Sequence, residues 1–240
     1  MYITISTFNI QNKYKIKRYS GLDRYGDHAM ELVNFIEDEN IDIIGIQELT
    51  PLYQKRLENN LPEKYQMSGK YRYTSIGKFI PFISKYNESN KIITRFSIEE
   101  TSTRHLPFFP NIPRIVTKTK IRCKDKVITV YNTHLDFISP VIRKKQLDKL
   151  FFLISQDCEN VILMGDFNSF DDQKYFKDFI EKLNNIGIVH IEIDTKTHYR
   201  IKKAIDHIFV SNKFKIVDKK VLNLGTNMSD HMPIVVKIDI

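Results

Sequence analysis

Two short segments set carboxylates beside groups suited to proton and phosphate chemistry: Gly165-Asp166-Phe167-Asn168-Ser169 and Ser229-Asp230-His231-Met232-Pro233. Asp166 and Asn168 are two residues apart, so on an extended segment they point to one side. A carboxylate and an amide placed together in this way can orient a water and a phosphate oxygen. The same residues also suit an Asx-turn, with Asn168 or Ser169 capping a following helix. His231 carries the side chain whose pKa lies nearest neutrality, so it can gain or lose a proton during turnover. Asp230 beside it can bind a metal or hold a water. The alternative is a turn in which Asp230 caps the backbone and Pro233 starts a strand.

Three further segments supply partners. Asp206, in Ile205-Asp206-His207-Ile208, is flanked by apolar residues. A buried carboxylate needs a partner, and a protonated imidazole is a natural one. Asp206 is therefore expected to orient His231, as a carboxylate orients the base of a catalytic triad. His207 points oppositely on the same strand and reads as structural. His134, in Tyr131-Asn132-Thr133-His134-Leu135, is a second candidate acid. Glu48 directly follows the apolar Ile44-Gly45-Ile46. A carboxylate there is costly unless paired or bound to metal, and its hard oxygens suit Mg²⁺. A surface ion pair or a helix N-terminus is the plainer reading of Glu48 alone.

The elements that would hold these residues are legible. Strands are expected at 2–8, 42–47, 115–122, 127–133, 161–165, 205–210 and 233–239, rich in Ile, Val, Thr and Tyr. Runs such as Val161-Ile162-Leu163-Met164 predict strands buried on both faces. Helices are expected at 25–39, from Ser139-Pro140 to about 156, and at 172–184, with Gly187 near the end of the last. The stretch 68–112 mixes aromatics, Pro and Asn and reads as short strands and long loops. Asn9, Gln47, Glu48, His134, Asp166 and Asn168 all follow predicted strands, and such strand ends line a common crevice in sheets flanked by helices.

The chain has 240 residues, is 42% hydrophobic and 28% charged, and carries a formal net charge of +8. No linker or repeat divides it, so residues 1–240 are expected to form one domain. No apolar run is long enough to span a membrane. Met1–Phe8 alternate like a strand and lack a basic leader region. Cys123 and Cys158 belong to no cluster, which argues against thiolate zinc sites and a disulfide framework and predicts a cytoplasmic location. The positive charge favours anionic partners, although an abundance of Lys, Ile and Asn also follows from drift in composition.

Taken in order, Phe8-Asn9-Ile10, Gln47-Glu48, Thr133-His134-Leu135, Gly165-Asp166-Phe167-Asn168, Ile205-Asp206-His207 and Ser229-Asp230-His231 resemble the endonuclease/exonuclease/phosphatase superfamily, typified by pancreatic deoxyribonuclease. The resemblance implies an α/β fold: a four-layer α/β/β/α sandwich of two mixed β-sheets flanked by helices. It implies hydrolysis of phosphate esters with Mg²⁺ or Mn²⁺. On that basis Glu48 would be the principal metal ligand, with Asn9 contacting metal or phosphate and Asp230 reaching a second metal or a metal-bound water. Asp166 would help activate water and Asn168 would hold a phosphate oxygen. His231, oriented by Asp206, would act as base or transition-state stabiliser, and His134 would bind phosphate or protonate the leaving group.

The substrate is less determined. Abasic-site endonucleases of this superfamily generally lack a His where His134 stands, and here Ile10-Gln11 follows Asn9, so abasic-site repair is disfavoured. The loop 10–25 interleaves Lys13, Lys15 and Arg18 with Tyr14 and Tyr19, a pattern that can grip phosphates and stack bases. A solvated loop has the same composition. Arg114, with Arg143 and the Arg200/Lys202/Lys203 group, is expected to add to an anionic-substrate funnel, Arg143 being equally suited to a structural role. The expected substrate is a nucleic-acid-type phosphodiester, DNA or RNA. The alternative is a phosphorylated metabolite or lipid headgroup. No obligate protein partner is implied.

Overall fold

Apolar alternation on both faces of several strands requires covering layers on both sides, and the structure supplies them. It is a computed structural model describing residues 1–12, 26–73, 87–157 and 159–240. Strands β1 (Tyr2–Asn9), β2 (Ile43–Leu49), β3 (Gln66–Ser68), β4 (Ser89–Thr94), β11 (Lys215–Val221) and β12 (Ile234–Asp239) form one mixed sheet, in the order β11-β12-β1-β2-β4-β3. The second contains β5 (Ser97–Leu106), β6 (Arg114–Cys123), β7 (Lys126–His134), β8 (Val161–Asp166), β9 (Ile188–His190) and β10 (Asp206–Ser211), in the order β5-β6-β7-β8-β10-β9. The helices are α1 (Gly26–Asp38), α2 (Pro51–Asn60), α3 (Pro140–Ile154) and α4 (Lys174–Asn184).

Three apolar clusters separate four layers. Ile5, Ile92, Val130, Met164, Ile208 and Val236 fill the space between the sheets. Leu32, Ile36 and Leu57 from α1 and α2 pack with Phe8, Ile44 and Ile46 outside the first sheet. Leu147, Leu150, Phe176 and Phe179 from α3 and α4 pack with Tyr131, Leu163 and Phe209 outside the second. This is the expected α/β/β/α sandwich, and all seven expected strands and three expected helices are present. Ser139 caps α3 as anticipated, its Oγ accepting from the Ile142 amide at 3.3 Å. Gly187 follows α4 with φ +78°.

Elements outside the expectation have physical reasons. Helix α2 is polar and buries only Tyr53 and Leu57, so its periodicity is faint. Strand β4 is wholly buried yet begins Ser89-Asn90-Lys91. Its polar atoms are satisfied across the fold, Asn90 Nδ2 donating to the Ile115 carbonyl and Lys91 Nζ to that of Gly69, both at 2.7 Å. Strands β5 and β11 are sheet edges, largely exposed and polar, as edges that resist aggregation are. Within 68–112, β5 is a ten-residue strand and not the short piece expected there.

Register assembles the rim. β1 and β2 run parallel, as do β7 and β8, so Asn9, Glu48, His134 and Asp166 emerge at matching ends. β10 runs antiparallel to β8 with Asp206 opposite Asp166. β12 runs antiparallel to β1 with Ile234 opposite Thr7, which carries the preceding His231 to the same rim. Beneath it, Asn132 joins the sheets: its Nδ2 donates to the Ile46 and Lys91 carbonyls, and its Oδ1 accepts from Gln47 Nε2 at 2.7 Å. Among the described residues no helix is long and apolar enough to cross a membrane.

Candidate active site

Glu48 owes its aim to a backbone irregularity. The β2–β4 register shifts between Ile46 and Leu49, and Glu48 takes φ +62°, unusual for a residue with a Cβ. A bulge at a strand end redirects a side chain, and conformations of this kind concentrate at functional sites. Glu48 Oε2 accepts from the Asn12 amide at 2.7 Å, and Oε1 lies 4.0 Å from His134 Nδ1. His134 Nε2 lies 3.4 Å from Asp166 Oδ2.

Asp166 is the centre. Its Oδ2 accepts from Asn9 Nδ2 at 3.0 Å, and its Oδ1 accepts from the Asn168 amide at 2.9 Å. Asn168, at φ +48°, donates Nδ2 to the Leu135 carbonyl at 3.2 Å. The turn expected at 166–168 and the site therefore coincide, since the Asx-type bond presents Asp166 to the rim. On the other side, His231 Nε2 stands 3.7 Å from Asp166 Oδ2, while His231 Nδ1 meets Asp206 Oδ2 at 2.9 Å. The expected Asp206–His231 pair is thus formed.

Charge in this site is strongly coupled to burial. Burial pushes the Asp166 carboxyl up to about 6, with the His231 charge opposing and that of Asp206 adding. Burial alone would depress the His231 imidazolium. The carboxylates of Asp206 and Asp166 outweigh it and hold His231 up at about 10. His231 is therefore a cation at neutral pH.

Asp230 pairs instead with His198, whose Nε2 lies 3.6 Å from Asp230 Oδ2. Although burial opposes ionisation of Asp230, the His198 bond and the His231 charge hold its carboxyl below the usual range. Arg114, expected at an anionic-substrate funnel, is only 5% exposed. Its guanidinium lies 5.7 Å from the centre of the Phe137 ring and feels the charges of Glu88, Glu48 and Asp166. Arg143 is structural, donating Nη1 to the Asp136 carbonyl at 2.9 Å and Nε to Tyr175 at 3.0 Å. Lys203 pairs with Asp172. Lys13, Lys15 and Arg18 lie outside the described residues.

Sequence reasoning missed a supporting network. Asn12 Nδ2 donates to Glu88 Oε1 at 2.9 Å, and Glu88 pairs with Arg72. Asn12 stands three residues after Asn9, which was a usable hint. Glu88 and Arg72 fall in the stretch that carries no clear periodicity. His198 carries no local sequence signal; an isolated bridge in the structure pairs it with His231.

The donor set fits a hard divalent cation. Glu48 presents a carboxylate at the rim 4.0 Å from His134, the Asn9 amide contacts Asp166, and Asp166 is a buried carboxylate whose ionisation is costly without added positive charge. Glu48 and Asn9 would hold such an ion, with Asp230 near enough to His231 to belong to an outer position.

The family profile described as Endonuclease/Exonuclease/phosphatase family matches residues 6–231. The chain belongs to this family of phosphoester hydrolases, which generally use a divalent metal. No curated protein sequence matches it. Among solved structures, the Bacteroides thetaiotaomicron VPI-5482 mannosyl-6-phosphatase superposes with a TM-score of 0.80 at 21% identity, covering 99% of this chain and 100% of that one. The human Nocturnin catalytic domain, with a bound sulfate anion, gives 0.76 at 18%, covering 99% and 93%. ANGEL2, a 2',3'-cyclic phosphatase, gives 0.74 at 16%, covering 99% and 95%.

Proposed function

We propose that this protein is a divalent-metal-dependent phosphodiesterase of the nuclease type, acting on a nucleic-acid-type substrate, DNA or RNA. The observation that carries the reaction class is the continuous chain Glu48–His134–Asp166–His231–Asp206 at the strand ends. Mg²⁺ or Mn²⁺ bound by Glu48 and Asn9 would neutralise charge on a phosphate oxygen and help polarise water. Asp166, with a pKa near 6, is suited to accept the proton of the attacking water. The water oxygen bonds to phosphorus as the ester P–O bond breaks. Asn168 and the His231 imidazolium stabilise the non-bridging oxygens, with Asp206 positioning His231. His134 supplies the proton to the departing oxygen.

The diester reading is supported by the exposed Phe137, three residues beyond His134, stacked near the buried Arg114, together with the net charge of +8. An aromatic face beside a cation suits a base attached to a phosphate. A phosphomonoesterase acting on a sugar phosphate is the second reading, favoured by the likeness to the mannosyl-6-phosphatase.

The test is a panel of DNA, RNA, sugar phosphates and aryl mono- and diesters with Mg²⁺ or Mn²⁺. Oligonucleotide cleavage exceeding monoester turnover is expected; the reverse order would replace the first reading by the second. Glu48→Gln and His231→Ala should each lower kcat by about 100-fold or more while circular dichroism stays native. Undiminished turnover in either variant would sink the site assignment.

A further inference from the structure

A second group of metal-capable side chains lies away from the Glu48 rim. His207 alternates with Asp206 on β10, so it faces the opposite side of the sheet, toward α4 and β9. There His207 Nδ1 lies 3.0 Å from His190 Nε2 and 3.4 Å from Asp171 Oδ1. The three donor atoms lie within 4.8 Å of one another. Ligands about 2.0 Å from a tetrahedral Zn²⁺ stand about 3.3 Å apart, close to the 3.0 and 3.4 Å of the two measured pairs.

Three observations distinguish this group from a packed histidine pair. His207 Nε2 donates to the Ser169 carbonyl at 2.8 Å, which makes Nδ1 the acceptor nitrogen that faces His190 and Asp171. That backbone bond on the far ring nitrogen is the usual support of a metal-ligating histidine. Asp171 Oδ1 is buried without a hydrogen-bond partner, an acceptor pointed at the same place. The group also opens on a cavity of about 670 Å³ whose wall carries Asp172, Glu181 and Glu192 against Lys177, an acidic mouth that favours a cation.

We propose that Asp171, His190 and His207 form a Zn²⁺ site, with the fourth position open to water from the cavity. Burial keeps both imidazoles neutral, His207 down at about 4 and His190 at about 3 with the His207 charge adding, so neither must shed a proton to bind. In the metal-free protein His190 Nε2–H donates to His207 Nδ1. On ligation that proton is carried by His190 Nδ1 instead. The ion would tie the loop holding Asp166, Asn168 and Asp171 to β9 and β10. It is independent of the phosphoesterase reading, since none of its ligands lies on the Glu48 rim.

The test is Zn²⁺ titration by calorimetry of the EDTA-stripped wild type, Glu48→Gln, His190→Gln and Asp171→Asn, with absorption spectra of the Co²⁺ forms. Wild type and E48Q should share one site with tetrahedral Co²⁺ bands and a raised unfolding temperature on Zn²⁺ addition. H190Q and D171N should bind at least about 10-fold more weakly and lose the bands. Asp171 is half-exposed, so D171N carries the test if H190Q misfolds. Equal Zn²⁺ binding by all four proteins, or its loss in E48Q alone, would overturn the proposal. Failure of the phosphoesterase panel would leave this outcome untouched.

Discussion

His231 holds a proton because two carboxylates face a ring that burial alone would leave neutral. Asp206 contributes more than Asp166, since it is both nearer and hydrogen-bonded. Replacing Asp206 by Asn removes that charge while keeping the shape. The His231 pKa in D206N, read by NMR titration, should fall by roughly 1–3 pH units, and kcat should drop by about 100-fold. An unmoved imidazole titration would show that Asp206 does not hold the proton. At this scale the sequence was informative: Asp206 between apolar neighbours called for a cation, and His231, the partner expected for it, stands there. His207 is adjacent in sequence, yet strand alternation turns it away and brings in His231 from 25 residues downstream. The neighbour of Asp230, His198, could not be read from any local pattern.

The elements work as carriers with fixed ends. Parallel pairing of β7 with β8 sets Thr133 opposite Gly165 and His134 opposite Asp166. Gly165 has φ +149°, and a Cβ there would sit 2.0 Å from the Thr133 carbonyl oxygen. Only glycine lets the two strands approach closely enough to set His134 Nε2 beside Asp166. Gly165→Ala is expected to cost at least about 2 kcal/mol in urea unfolding, and its residual folded fraction should lose activity. A variant as stable as the wild type would contradict the close approach. Glu48 depends equally on its strand, since its left-handed backbone lies at the β2 bulge. The strands themselves were readable as apolar runs, whereas the bulge depends on pairing with β4, which the sequence disguises with Ser89, Asn90 and Lys91.

For the whole molecule, that disguised strand leaves a buried cation. Burial lowers the Lys91 ammonium to about 8, Glu58 only partly opposing, and its Nζ lies 4.8 Å from the Tyr71 ring centre. Unfolded, the same lysine titrates near 10.5. The unfolded chain therefore binds the proton more tightly between those values, and Lys91 favours the folded state more as pH rises from about 8 toward 10.5. Relative to Lys91→Met, the wild type should gain about 2 kcal/mol of unfolding free energy between pH 7.5 and 9.5. A pH-independent difference between the two proteins would refute the burial of that charge.

The sequence by itself determined the sandwich class, its principal strands and the identity of the rim residues. Long β-branched runs must be buried on both faces, and polar groups at their ends must converge where parallel strands finish. Tertiary structure alone decided how those residues meet. Ser229 Oγ donates to the Asn9 carbonyl at 2.6 Å across 220 positions, and Asn12, Glu88 and Arg72 join one network from three separate segments. The charge on His231 and the pairing of His190 with His207 belong to the same category. Protonation and ligand geometry depend on burial and on distances between remote segments, and neither quantity is carried by local order along the chain.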